Sequence, residues 1–157
     1  MDIQLVFTPL ARFEEELSCL YEGLAEQFAD DPGARFLFYR LATEEKAHAA
    51  LIEYQRRVVS QDPGLFGEVS VDLEVIRRAA EKVEEARSCS SRPSLQEAVA
   101  MAFDFEHSAA EFHYRTAMKE ANEEFARLLD SLGVSDRQHY TALSEFAEKR
   151  GIQHLRT

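Results

Sequence analysis

Residues 40–48, RLATEEKAH, and residues 132–139, LGVSDRQH, each set an acidic side chain three positions before a histidine: Glu45 before His48, and Asp136 before His139. On a helix such a pair shares one face, with Cβ atoms about 5–6 Å apart. Both pairs lie on stripes that are otherwise apolar. One stripe reads Phe38, Leu41, Glu45, His48, Ile52; the other reads Phe125, Leu129, Leu132, Asp136, His139, Leu143, Phe146. Alternating spacings of three and four mark the side of a helix that faces a bundle core. Ionisable groups therefore stand where burial is expected.

Two further segments, FEEELSCLYEGLAE (13–26) and FEHSAAEFH (105–113), repeat the interruption. Their stripes read Leu10, Glu14, Leu17, Tyr21, Leu24, Phe28 and Leu95, Val99, Ala102, Glu106, Ala109, His113. Glu45 follows Glu14 by 31 residues and Asp136 follows Glu106 by 30, so the two halves read as an internal repeat with one residue removed. Four buried carboxylates without partners would each resist desolvation by several kcal/mol or more. Two divalent cations carry the charge that neutralises four carboxylates. The expected ligands are Glu14, Glu45, His48, Glu106, Asp136 and His139. Glu45 with His48 and Asp136 with His139 should each grip one ion, with Glu14 and Glu106 bridging. Tyr21 and His113, seven residues after Glu14 and Glu106, either hydrogen-bond to the ligands or simply pack. Glu15, Glu16, Glu44, His107 and Glu111 fall off the stripes and are expected at the surface.

Local signals set the helix limits. Thr8 as N-cap with Pro9 at the first helical position predicts a first helix ending near Phe28. Ala29-Asp30-Asp31-Pro32 starts a second that runs to about Ser60, antiparallel to the first. Residues 61–70 read as loop, being rich in Gly and Pro. Val71 to Ser88 should form a crossover helix that lets the third main helix start at the same end as the first. Cys89 to Pro93 is a second loop, after which Ser94-Leu95-Gln96-Glu97 is a capping box opening a helix to about Ala121. The fourth main helix should run from about Glu123 to Lys149, closed by Gly151. Gly133 and Val134 weaken it, and a rival reading breaks the chain there with Ser135 as a new cap.

The 157 residues suffice for one domain, 1–157, with a sizeable core. A composition of 30% charged residues, six Gly and no Trp suits long amphipathic helices, so the fold class is all-α. A net charge of −11 repels phosphate backbones and anionic membranes, which excludes nucleic acid as a partner. No run approaches a membrane span, and the start MDIQLVFTPLARF lacks the pattern of a secretion signal. Cys19 and Cys89 form no CxxC pair, and Cys19 reads as a packed small hydrophobe. A cytoplasmic protein is expected.

One Glu from each of two helices and an acid-x-x-His from each of the other two is the ligand plan of di-metal carboxylate bundles. On these six positions and their repeat, the chain resembles the rubrerythrin branch of the ferritin-like superfamily. That resemblance implies an antiparallel four-helix bundle with a long crossover between helices 2 and 3, a homodimer, and two iron ions, with manganese or zinc as alternatives. It implies oxidation of Fe(II) by O2 or peroxide, with an electron donor that is not written in the sequence. The competing readings are iron storage or metal delivery without turnover, and a metal-free helical interaction scaffold. The chain departs from the pattern at Asp136, one methylene shorter than Glu, and at Ala109, where peroxide-reducing rubrerythrins carry an extra carboxylate.

Overall fold

The computed structural model describes residues 2–62, 69, 71–119 and 122–153 and, for residues 111, 114 and 117–119, the backbone alone. Among the described residues five helices follow in order: α1 Gln4–Gln27, α2 Pro32–Gln61, α3 Leu73–Ser88, α4 Leu95–Lys119 and α5 Glu123–Arg150. Four of them form a ferritin-like bundle, and α3 is the crossover. The expected third-helix end at Ala121 and most of the 61–70 loop lie outside the described residues. Among the described residues no helix is long and apolar enough to cross a membrane.

The first helix starts at Gln4, a turn earlier than Thr8 and Pro9 suggest. Ile3, Val6 and Phe7 continue the stripe of Leu10 and are buried, so packing overrides the start signal. Pro9 then sits inside the helix, where it removes one backbone hydrogen bond near the end. Other caps follow their chemistry. The Asp31 carboxylate accepts from the Gly33 and Ala34 amides at 3.1 Å. Ser94 and Glu97 form a reciprocal box. Gly151, at φ 63°, ends α5 with the Ile152 amide bonded to the Ala147 carbonyl at 2.9 Å. Helix α5 runs unbroken through Gly133, which is buried, so the rival start at Ser135 is not realised.

The bundle is two helical hairpins, α1–α2 and α4–α5. Their relative direction is fixed by contacts at the ends. The Gln27 amide donates to the Pro93 carbonyl at 2.6 Å, Asp31 pairs with Arg150, and Phe7 meets Phe125 at 5.9 Å. Helix α4 therefore starts beside the end of α1, at the opposite end from the one expected. The reason is the crossover: α3 has 16 residues and spans about 24 Å, enough to carry the chain down the bundle. It rests on α1 through Ile76, Ala80 and Val83, with Arg12–Glu84 and Arg87–Glu16 pairs at its flanks. Cys19 is exposed, correcting the expectation that it packs, because it lies on the outer side of α1 between the buried Leu17 and Tyr21.

Phe38 is fully buried and stacked between Tyr21 and Phe28, at 6.3 and 5.9 Å. Replacing it with Ala leaves a cavity within the α1–α2 hairpin, and the expected loss is about 3–5 kcal/mol. Urea unfolding followed by circular dichroism checks this. A loss below 1 kcal/mol would contradict the packing described.

Candidate metal centre

Halfway along the bundle the apolar core gives way to seven ionisable side chains. Glu14, Glu45, His48, Glu106, His113, Asp136 and His139 are all buried, and none is more than 8% exposed. The helical repeat is the cause: each interrupts an apolar stripe and is carried inward with it. Glu15 and His107 are exposed as expected, and Glu16 turns toward Arg87. The Glu111 side chain lies outside the described residues.

Two triads bring oxygen and nitrogen donors within 4.8 Å of one another: Glu14, Glu45 and His48 in one, Glu45, Glu106 and His139 in the other. In the first, His48 Nδ1 is 2.9 Å from Glu45 Oε2 and 3.6 Å from Glu14 Oε2. In the second, His139 Nδ1 is 2.9 Å from Glu45 Oε1 and 3.1 Å from Glu106 Oε2. The two imidazoles stack with centroids 5.5 Å apart. Glu45 is thus common to both triads, the position the sequence reading gave to Glu14 and Glu106. Asp136 joins neither. Its Oδ2 is 2.7 Å from Nδ1 of His113, whose Nε2 faces Glu14 Oε1 at 3.5 Å.

The residues seven positions after Glu14 and Glu106 reach across the bundle. The Tyr21 hydroxyl donates to Glu106 Oε1 at 2.6 Å, and His113 approaches Glu14, so each hairpin supports the other's glutamate. Sequence reasoning missed Glu44. It is only partly exposed; its Oε2 is 2.7 Å from His139 Nε2, and Arg40 Nε donates to its Oε1 at 2.8 Å. The i,i+4 spacing of Arg40 and Glu44 was the available signal, since it holds the carboxylate against the helix and beside the ring.

The buried groups shift one another's protonation. Burial, reinforced by the Glu45 charge, pushes Glu14 up to about 8. Burial also raises Glu106, against the opposing pull of His139 and Tyr21. Burial pulls His48 down, but the neighbouring carboxylates of Glu14 and Glu45 prevail and lift it to about 10. His139 rises to about 11 in the same way, through Glu106 and Glu45. His113 is raised by Asp136 against burial. Protons on the imidazoles therefore do part of what divalent ions would do. They do not do all of it: both oxygens of Glu14, Oε1 of Glu45 and Oδ1 of Asp136 are buried without a hydrogen-bond partner. Such orphans cost about 1–3 kcal/mol each, more when charged. An oxygen-rich set with two imidazole nitrogens suits iron, manganese or zinc.

Buried carboxylate–imidazole triads inside a four-helix bundle define a ferritin-like carboxylate protein whose core fits a pair of metal ions. The chain belongs to the rubrerythrin family: the Rubrerythrin family model matches residues 11–147, which include every residue of both triads. No individual curated protein and no solved structure matches it.

The shifts fix the pH dependence of the metal-free protein. His48, His139 and Glu14 all hold protons more tightly folded than unfolded, so the native state binds more protons than the unfolded one. Stability then falls as pH rises. The loss should begin above the free-carboxylate value of 4.5 and continue through about 8 for Glu14, and from 6.5 toward about 10 for His48. The melting temperature of chelator-treated protein should therefore decline steadily from pH 6.5 to 9. A rise over that range would contradict the site as described.

Proposed function

We propose that this chain is a cytoplasmic di-iron protein, one domain over residues 1–157, that oxidises Fe(II) with O2 or peroxide. The observation that carries the reading is the pair of buried triads sharing Glu45, with the Glu14 carboxylate left unpartnered among them. Glu14, Glu45 and His48 would hold one ion. Glu45, Glu106 and His139 would hold the other, with Asp136 offering Oδ1 from α5. Two iron ions held there would supply one electron each, Fe(II) becoming Fe(III), to take O2 to peroxide or peroxide to water.

The residues prepare that chemistry. Glu44 beside Nε2 of His139 keeps the ring oriented with Nδ1 toward Glu45 and Glu106, the arrangement by which an outer carboxylate aligns a ligand imidazole. Tyr21 fixes one oxygen of Glu106 and leaves Oε2 toward His139. His113 does the same for Asp136, whose shorter side chain needs a partner that reaches to it. His48 and His139 must lose their site-facing protons before they can ligate, so metal loading releases protons and strengthens with pH. Free imidazole would confine that competition to pH 5–7; the raised values of about 10 and about 11 extend it well above neutrality. A second reading, iron storage or delivery without turnover, is favoured by Ala109, which is buried one turn after Glu106 and supplies no further carboxylate.

Anaerobic loading with Fe(II) followed by air is the test. Two irons per chain and a ferric absorbance that saturates at that ratio are expected. Two bound irons without the absorbance would support storage, and no bound metal would leave a helical scaffold. Under saturating Mn(II), at about 100 times the dissociation constant, each site should add roughly 2.7 kcal/mol to stability. That gain should grow from pH 6 to 8 and vanish in Glu45→Ala, which removes a donor from both triads.

A further inference from the structure

Helix α3 rests on α1 and leaves a groove between itself and α4. Its two sides differ. Ile76, Ala80 and Val83 are buried, whereas Val75, Ala79 and Lys82, on the neighbouring strip of the helix, line the groove. Val75 is 47% exposed, apolar surface that the bundle core does not use. On the opposite wall Met101, Phe105 and Phe112 of α4 pack against the core yet remain partly exposed to the same space, and Phe13 of α1 completes the floor. The groove has a volume of about 1240 Å3. Along α4 it runs from Glu97 to Thr116, a length of about 28 Å.

Small side chains keep it open. Ala79 on one wall, with Ala100, Ser108 and Ala109 on the other, stand where larger residues would fill the space. The volume exceeds the roughly 300–1,000 Å3 of an ordinary small-molecule site. A trough of this length with an aromatic and aliphatic lining suits an extended apolar chain.

Charge marks where a head group would sit. Arg78 and Lys82, one turn apart on α3, line the groove and have no ion-pair partner among the described residues. Two of the three carboxylates that line it are committed to helix starts: Asp72 accepts from the Glu74 amide at 3.0 Å, and Glu97 from the Ser94 amide at 2.7 Å. Asp104, on the facing wall, is the third. Two cations less Asp104 leave one positive charge in surplus, in a chain whose net charge is −11. A local field of that sign and size matches a single negative charge. We infer that the groove between α3 and α4 binds a long-chain carboxylate of the fatty-acid class, with its head on Arg78 and Lys82 and its tail along Phe105 and Phe112. The site shares a wall with the polar layer, since Phe13, Phe105 and Phe112 immediately precede Glu14, Glu106 and His113. It uses none of those ionisable groups, so it stands apart from the metal reading.

The metal-free full chain is titrated with cis-parinarate, a fluorescent fatty acid, below its micelle concentration. Saturation at one probe per chain and displacement by palmitate are expected. Arg78→Glu/Lys82→Glu should weaken palmitate at least tenfold, and hexadecanol, which lacks the charge, should compete at least tenfold less well with wild type. Arg57→Glu/Arg137→Glu alters the net charge equally at exposed positions off the groove and should bind as wild type. Ser108→Trp sets an indole in the middle of the trough. It should abolish binding without changing the helical spectrum, because Ser108 is exposed. No saturable binding, equal affinity in Arg78→Glu/Lys82→Glu, equal competition by hexadecanol, or binding retained in Ser108→Trp would each overturn the assignment. A change of oligomeric state in Ser108→Trp, read by light scattering, would overturn it too, by placing a second copy of the chain in the groove.

Discussion

Four carboxylates and three imidazoles share one buried layer of the core, and everything else in the fold has to accommodate them. An ionised carboxylate in such a place is tolerable only beside a positive charge. The protein meets that constraint with imidazolium protons, a tyrosine hydroxyl and an outer Arg40–Glu44 pair, and still leaves oxygens unpartnered. The surrounding layers of Leu10, Leu17, Leu41, Ile52, Leu129 and Leu143 are conventional bundle packing. They supply the stability that the polar layer spends, a division of labour in which function occupies a thin slice of the core and apolar burial the rest.

The near-repeat of the chain explains the arrangement of that slice. With α4 running opposite to α1, Glu14 lies level with His113 and Tyr21 lies level with Glu106, so each half steadies the other's glutamate. The symmetry breaks at Asp136. Where Glu45 reaches both imidazoles that face the site, His48 and His139, its shorter counterpart is held by His113.

Much of this was legible from residue spacing. Stripes interrupted by acids and histidines are a property of helical period, and the core residues they name are buried as read, apart from Phe28, Leu95 and Phe146 near helix ends, which are partly buried. The six candidate ligands share one core for the same reason. What spacing does not carry is rotamer and level: which carboxylate stands in both triads depends on side-chain direction across helices. Glu44 also escaped notice, because it lies beside rather than on the stripe. The start of α1 was misplaced because Thr8-Pro9 is a strong local signal that the burial of Ile3, Val6 and Phe7 outweighs. The length of α3 was legible, but its consequence was misread: a crossover that leaves the end of α2 and spans the bundle delivers the chain beside the end of α1.

Glu45 stands in both triads, and this has a thermodynamic consequence. Two positions that share a donor are not independent binding sites. In the proposed two-metal reading, the first ion to arrive would restrict the shared carboxylate and reduce the charge the second would meet, so each ion would act as an effector of the other. By linkage, the factor by which one changes the affinity of its neighbour is the factor by which it is itself changed. Occupancy of such a core would therefore be a property of the pair, described by one coupling free energy in addition to two affinities. A residue that alters the reach of Glu45 alters that coupling even if it touches neither ion.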